Sequence, residues 1–355
     1  MKQLETALFA ILRSALGMEV RTSSVKLAPQ GWKKLFEVAA EQKVAALVYH
    51  EIEAKGYDIP DDIRQEWKSH ASFSAGRFDA QLMVLNRLAA GLETEGIKMT
   101  VLKGLGLALC YPKPELRECA DIDIYCHDLY ERVNDFILDS GLGKNATGGD
   151  GNVPDFEKGF EIGGILVENH RKFCAGTNHA ASCIDKILTE MSRREPYGDP
   201  RVPGIVFPSV QMGALHLIMH TLSHLAWSGI ALRNLCDVTV YLDRHRSEID
   251  FEQLRNILKD AGIEKSSALL IDICKRYLGL AIDLSSWDRY EKDASEAVLH
   301  GLFHPIAGSA LTRNPFCKFH RKVKAFRYRK KLHCLVYGEE FPDSFTKSFA
   351  FLRKP

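Results

Sequence analysis

Two acidic residues spaced two apart, Asp121 and Asp123, are the positions in this sequence best suited to chemistry. Successive side chains of a β-strand point to opposite faces, so residues two apart project together. Ile122 and Ile124 alternate with them, which predicts a strand with carboxylates on one face and apolar residues in a core. Two neighbouring carboxylates repel each other unless a cation lies between them. Mg²⁺ suits this position because it takes oxygen ligands and completes its shell with water and substrate phosphates.

A third carboxylate, Glu168, lies on a later predicted strand that can neighbour the first. There it would complete the cation site and help to deprotonate an attacking hydroxyl. A metal held by carboxylates can stabilise the oxygens of a phosphoryl-group transfer, in which the protein mainly positions groups and neutralises charge. The Lys103-Gly104 turn precedes a predicted helix, where backbone N–H groups and the lysine can hold a triphosphate. We therefore predict Asp121, Asp123 and Glu168 as catalytic and metal-binding residues.

Each of these motifs also has a plainer interpretation. An Asp-x-Asp sequence alone is more often a solvated strand edge than a metal site, and a Lys-Gly pair alone indicates only a turn. The order of the motifs favours chemistry, because a strand, a glycine turn and a helix precede the acidic strand and a carboxylate-bearing strand follows it. The combination therefore predicts a functional site.

Polar residues on two predicted helices can line the same cleft. His216, His220 and His224 recur at i, i+4 and i+8 and lie on one helix face. Zinc binding would need further ligands, and no Cys or acid has matching spacing, so a zinc site ranks below cleft-lining histidines and below contact with a substrate phosphate. Arg233 and Asp237 are an i, i+4 pair whose simplest role is a salt bridge. Such a pair would also orient Arg233 toward phosphate.

Hydrophobic periodicity places these residues in a helix–sheet–helix architecture. Helical spacing fills residues 1–95 and returns from Val210, where the first predicted helix covers Val210–Trp227. A β-α-β-α-β-β order lies between, including a hairpin about Gly163-Gly164. We predict an α+β fold in which a small mixed-sheet core is flanked by N-terminal and C-terminal helical regions. The predicted divisions are a helical region at 1–95, an α/β core at 96–204, a helical region at 205–300 and a basic helical tail at 301–355.

Composition narrows the class of protein. The 355 residues are 46% hydrophobic and 26% charged, with a net charge of +1, so no global field indicates nucleic acid or membrane as the partner. No apolar run approaches the ~20 residues needed to span a bilayer. The nine cysteines show no zinc or Cys-x-x-Cys spacing, which favours reduced thiols. We predict a soluble, cytoplasmic protein.

The predicted tail has a run of cations with no intervening acid, interleaved with aromatic residues. RNA or anionic lipid could bind such a run, but a solvated helix face is the favoured interpretation, and nucleic acid is not favoured as a partner. The cations are Lys318, Arg321, Lys322, Lys324, Arg327, Arg329, Lys330 and Lys331.

Several motifs together resemble a known family. Leu102-Lys-Gly, Tyr111-Pro, Arg117 and Asp121-Ile-Asp123-Ile are similar to the nucleotidyltransferase superfamily of the DNA polymerase β type. More closely, the chain from roughly residue 32 to 278 resembles the family of uncharacterised nucleotidyltransferases. That resemblance also rests on an acid-x-His strand and on a helix of spaced histidines followed by Arg and Asp, here Glu168, His170, His216, His220, His224, Arg233 and Asp237.

The resemblance implies an enzyme that uses Mg²⁺ to move a nucleoside monophosphate from an NTP, with ATP the first choice, to a hydroxyl or phosphate of an unidentified acceptor. It adds Arg117 to Lys103 and Gly104 as nucleotide-binding residues, and it places His170 with the helical histidines, Arg233 and Asp237 in the substrate cleft. The superfamily usually has Ser or Gly after the turn glycine, where this sequence has Leu105. The alternative is therefore a catalytically degenerate protein that binds a nucleotide or regulates a partner.

Overall fold

A computed structural model describes residues 2–18, 25–146, 152–153, 156–176, 178–194, 196–290, 293–303 and 315–338. Helices and one small mixed sheet alternate as the sequence predicts, which confirms the α+β fold class. Of the predicted basic tail, residues 304–314 and 339–355 lie outside the described residues. The side chains of 315–325 lie outside them as well.

The N-terminal helices follow the predicted apolar spacing closely. The longest of them has 34 residues, begins after Pro60 with two acids in its first turn, and ends before Gly96, whose positive φ stops the helix. The helices of this region are α1 (Lys2–Ala15), α2 (Pro29–Glu41), α3 (Ala45–Lys55) and α4 (Asp61–Thr94).

The central region contains the sheet and three helices. Its elements are β1 (Thr100–Val101), α5 (Leu105–Ala108), β2 (Asp121–Tyr125), α6 (Tyr130–Asp139), β3 (Lys144–Asn145), β4 (Asn152–Val153), β5 (Glu157–Ile162), β6 (Ile165–His170), α7 (His179–Met191), β7 (Tyr197–Gly198) and β8 (Val206–Phe207). The strand order is β3-β5-β6-β2-β1-β8-β7, with β4 paired to β5. Strand β2 runs parallel to β6 and antiparallel to β1, so the acidic strand lies in the middle of the sheet.

Helices again make up the C-terminal part. They are α8 (Val210–Trp227), α9 (Leu232–Arg244), α10 (Phe251–Asp260), α11 (Glu264–Ile273, continued by a π-helical turn over Cys274–Leu278), α12 (Ala294–Phe303) and α13 (Pro315–Tyr337). Helix α13 packs on α8 through a buried face that includes Leu332 and Val336. Arg327, Lys330 and Lys331 on α13 are exposed.

Two apolar cores position the sheet. One lies between the sheet and helices α4 and α6. It buries Ile122 and Ile124, which alternate along β2 with the two aspartates. The other joins α1–α3 to α7–α12, so the N-terminal and C-terminal helices share a single core. The polar face of β2 and β6 therefore points away from α4, toward α8 and α9. The divisions predicted at 95/96, 204/205 and 300/301 stay predictions.

None of the helices that the structure describes combines the length and the apolar character needed to cross a bilayer.

Candidate active site

The register of three strands brings the acidic residues together. On the parallel pair β2–β6, Asp123 lies opposite Glu168 and Tyr125 opposite His170. On the hairpin, His170 in turn lies opposite Glu157. Side chains at paired positions point to the same face of a sheet. Asp123, Glu168, His170 and Glu157 therefore all project from the face that is turned away from α4 and α6.

A cluster of three possible metal ligands lies on this face. One ligand atom each from Asp123, Glu168 and His170 lie within 4.8 Å of one another. Asp121, two residues before Asp123 on the same face, lines the same cavity but lies outside that group. The predicted set of Asp121, Asp123 and Glu168 is thus on one face of the sheet, with Asp123 and Glu168 closest.

Lys103 supplies the cation that the acidic pair requires. Its ammonium Nζ lies 2.8 Å from Asp123 Oδ1, and it can donate to His220 Nδ1 at 3.4 Å. Asp123 is only 2% exposed, so this ion pair is deeply buried. From the sequence, repulsion between neighbouring carboxylates is expected to dominate at Asp123. In the structure, attraction to Lys103 dominates, because the turn at the end of β1 brings the lysine over the carboxylate.

The charges are unequally compensated. Burial opposes ionisation of Asp123, but Lys103 and His170 outweigh it and hold the pKa of Asp123 well below its usual range. Burial raises the pKa of Glu168, and the charges of Asp123 and Glu157 raise it further, to about 8. The pKa of Glu157 is also raised, mainly by burial. Lys103 therefore neutralises Asp123 and compensates Glu168 only in part.

A divalent cation fits this donor set. Carboxylate oxygens of Asp123 and Glu168 are adjacent, and Asp121 can approach from the same face. The pKa of Glu168 is raised first by burial and then by neighbouring negative charge, which a cation would offset. His170 fits a positioning role better than a ligand role. Its Nε2 donates to Asp123 Oδ1 at 2.8 Å, while its buried Nδ1 has no hydrogen-bond partner among the described residues. Metal binding through Nε2 would move the proton to this unpartnered nitrogen.

The acidic cluster opens into a cavity of about 630 Å³, within the range of small-molecule sites. His170, His220 and His224 line this cavity, as do Lys103 and Gly104. These three predicted cleft histidines therefore line the same cavity as the acidic residues.

His216 is placed differently from the other two helical histidines. It is buried beneath the cavity and packs edge-to-face on Phe173. Burial, with the nearby Lys103 charge, lowers the pKa of His216 to about 3. Burial likewise lowers the pKa of His220, so its neutral ring can accept from Lys103.

The expected salt bridge between Arg233 and Asp237 does not form. Asp237 instead accepts from Arg117, at 2.7 Å from Nε and 2.9 Å from Nη2, and from the hydroxyl of Tyr111 at 2.7 Å. Arg233 donates its Nη1 to the carbonyl of Glu118 at 2.8 Å. The i, i+4 prediction was wrong because Arg117 offers a planar two-bond fork to the same carboxylate in a buried position.

Arg117 is predicted to bind nucleotide, but in the structure its guanidinium is buried and paired with Asp237. It is 6% exposed and joins the loop before β2 to α9. It nevertheless lines the cavity, as do Arg233 and Asp237.

The glycine turn also lines the cavity. Gly104 adopts a φ of 54°, and the chain then enters α5, which has only four residues. Leu105, at the position where the superfamily usually has Ser or Gly, is buried in the sheet core. No hydroxyl is therefore offered to a phosphate at this position, and Lys103 supplies the only cationic side chain of the turn.

Glu157 belongs to the site but is not among the residues predicted from sequence. Glu157 lines the cavity, and its Oε2 lies 3.5 Å from His170 Nε2. A two-residue Gly163-Gly164 turn pairs Ile162 with Ile165, and counting back along the hairpin from that pair identifies Glu157 as the partner of His170.

Comparison with known proteins bears on this arrangement. A family model described as uncharacterised nucleotidyltransferase matches residues 28–279, more than half of the chain. No significant match is found among curated proteins or among solved structures.

Proposed function

This chain belongs to the uncharacterised nucleotidyltransferase family, and we propose that it transfers a nucleoside monophosphate from an NTP to a hydroxyl or phosphate of an acceptor. The observation that carries the proposal is the side-by-side placement of Asp123 and Glu168 on neighbouring strands, facing a cavity of about 630 Å³. Phosphoryl-group chemistry needs mainly positioned groups and neutralised charge, which buried carboxylates with a bound cation provide.

Asp121, Asp123 and Glu168 would hold a divalent cation, proposed to be Mg²⁺, which when bound would neutralise charge on the polyphosphate. Lys103 would bind phosphate oxygens from the turn at the end of β1, beside Gly104. His170 donates to Asp123 and so keeps that carboxylate oriented.

For a hydroxyl acceptor, Glu168 would accept the hydroxyl proton on its carboxylate. The acceptor oxygen would then form its bond to the α-phosphorus, while the bond from that phosphorus to the β-phosphate oxygen breaks and pyrophosphate leaves. Glu168 suits this role because it lies beside Asp123 in a largely water-excluded position, where a proton is readily held.

A second function has a specific observation in its favour. Leu105 is buried and apolar, so the turn lacks the hydroxyl that the superfamily usually presents to a phosphate, and Lys103 already pairs with Asp123. A nucleotide-binding or regulatory protein that has lost catalysis would keep the cavity and these contacts.

ATP is proposed as the NTP, and a reducing, cytoplasmic location agrees with the described cysteines, which form no disulfide.

Two linked measurements test the proposal. Thermal unfolding with each of the four NTPs, with and without Mg²⁺, identifies the nucleotide, because a ligand that binds the folded state raises its stability. That nucleotide is then supplied with either an α-phosphate or a γ-phosphate label, together with a cell extract as the source of acceptors. Transfer of the α-label alone into a product supports nucleotidyl transfer. A thermal shift with no transfer of either label supports the binding protein.

A further inference from the structure

Two guanidinium groups on the helical side of the cavity have N–H donors that no residue described by the structure satisfies. Arg117 uses Nε and Nη2 on Asp237, whereas its buried Nη1 has no hydrogen-bond partner within the described part of the chain. Arg233 uses Nη1 on the Glu118 carbonyl, and its buried Nε likewise has no partner there. Buried donors are nearly always paired in folded proteins, so two unpaired donors on residues that line one cavity indicate a missing acceptor.

The charge balance on this side favours an anion as that acceptor. Arg117 is neutralised by Asp237, and Lys103 by Asp123. Arg233 forms no ion pair with any residue that the structure describes. The nearby Glu118 carboxylate is already engaged, with His70 at 3.1 Å and the backbone N–H of Ala46 at 3.1 Å. The charge of Arg233 is thus available to a ligand.

The start of α9 cannot supply the donors in place of the arginines. The backbone N–H of Leu232 donates to Gln42 Oε1 at 2.9 Å, and that of Arg233 donates to the Gln42 carbonyl at 3.3 Å. Asn234 donates its backbone N–H to the Ala231 carbonyl. Because these backbone groups are satisfied within the fold, recognition at this position depends on side chains.

We propose that Arg117 Nη1 and Arg233 Nε form a phosphate subsite, separate from the acidic cluster of Asp123 and Glu168 in the same cavity. Phosphate is the chemistry that fits, because guanidinium groups present fixed N–H donors that match its several oxygens. Lys103 and the Gly104 turn lie on the sheet side with the carboxylates and serve the NTP. The subsite on α9 therefore holds a phosphate of the acceptor, an assignment that rests on the proposed function.

Binding of inorganic phosphate without metal tests the subsite directly. Titration calorimetry in EDTA is run on the wild type, on Arg233→Gln and on a matched control, Arg244→Gln, which changes an exposed arginine at the far end of the same helix. Arg117 is left unchanged because its loss would strand Asp237 in the core. Loss of a charge-assisted hydrogen bond predicts phosphate binding about tenfold or more weaker in Arg233→Gln, with Arg244→Gln unchanged.

A second titration with Mg²⁺ and ATP distinguishes the two sources of phosphate. If Arg233→Gln binds Mg-ATP like the wild type, the subsite serves the acceptor. If it loses Mg-ATP and phosphate together, the subsite stands but holds a phosphate of the NTP, and the acceptor assignment is overturned. Equal phosphate binding by Arg233→Gln and wild type, or none by wild type, overturns the subsite itself. Arg233-dependent phosphate binding without any Mg-ATP binding by wild type would instead count against the proposed function alone.

Discussion

Glu168 lies directly beside Asp123, at the paired position of the neighbouring parallel strand, yet only Asp123 has a cation in contact. Lys103 reaches Asp123 Oδ1 at 2.8 Å, and Glu168 is left with the repulsion of the surrounding acids. The two carboxylates therefore contribute to stability in opposite directions when no metal is bound.

Replacing Glu168 with Gln should stabilise the metal-free protein at neutral and alkaline pH. The pKa of Glu168 is raised to about 8 from an ordinary 4.5, so its folded state binds a proton more tightly than its unfolded state. The contribution of Glu168 to stability is fully present below pH ~4.5 and is lost as pH rises toward 8, by up to about 1.4 kcal/mol per pH unit. Melting temperatures in EDTA from pH 4.5 to 8.5 should fall less for Glu168→Gln than for wild type. Parallel curves would show that Glu168 is not strained by its neighbours.

Replacing Lys103 with Met should have the opposite effect. The change leaves Asp123 buried without its cation, which should cost about 3 kcal/mol in urea unfolding. Added Mg²⁺ should restore more stability to Lys103→Met than to wild type, because the divalent ion replaces the missing charge, while NTP affinity should be weaker. Lys98→Met, an exposed lysine before β1, is the control and should behave like wild type.

Arg117 should be needed for folding far more than Arg233. Arg117→Met removes both bonds to Asp237, which is 2% exposed, and an unpaired buried charge should cost about 3–5 kcal/mol. The double variant Arg117→Met/Asp237→Leu should recover part of that loss, and Arg233→Gln should cost under about 1 kcal/mol. A double-mutant cycle by urea unfolding measures the coupling. Equal losses from Arg117→Met and Arg233→Gln would contradict the pairing.

His216 should limit stability in acid. Burial lowers the pKa of His216 to about 3 from an ordinary 6.5. Between pH 6.5 and 3 this histidine therefore binds a proton in the unfolded state but not in the folded state. Stability is therefore lost as pH falls from 6.5 toward 3, by up to about 1.4 kcal/mol per pH unit. His216→Gln should flatten the unfolding free energy over this window, whereas His179→Gln, at an exposed histidine, should not. An unchanged slope in His216→Gln would mean that this histidine does not resist protonation.

Long periodic segments made much of the fold predictable from sequence. Helix α8 begins and ends at the predicted residues, Val210 and Trp227, because 18 residues give the apolar spacing enough repeats. The hairpin was predictable because Gly163 and Gly164 both take positive φ in its two-residue turn. Strands of two residues, such as β1, β7 and β8, are too short to show any periodicity. They form only through hydrogen bonds to neighbouring strands, which the local sequence does not specify.

The candidate site was predictable where its geometry is local. The spacing of Asp121 and Asp123 along one strand predicts a shared face without any tertiary information. The partner of Asp237 was not predictable in this way, since Arg117 lies 120 residues earlier in the chain. Local spacing pointed instead to Arg233, and only the packing of α9 against the loop before β2 decides between the two arginines.

We propose that Asp123 helps to hold a cation for a nucleotide, and the Mg²⁺-dependent stabilisation of the protein by an NTP is the measurement closest to that role. Asp123→Asn keeps the size of the side chain but removes a charge from the cation site. Because Lys103 loses its partner, the metal-free variant should unfold at a lower temperature than wild type, so each protein is compared with its own ligand-free state. Asp139→Asn, an exposed position on α6, is the control.

We predict that the NTP giving the largest shift with wild type and Asp139→Asn in Mg²⁺ gives none with Asp123→Asn. Loss of a direct ligand should lower the affinity for the metal by more than the ~10–100-fold that is typical when a residue contacting a ligand is changed. A shift in Asp123→Asn equal to that of wild type would show that the carboxylates are not the metal site. No shift in wild type with any NTP would contradict the nucleotidyltransferase account itself.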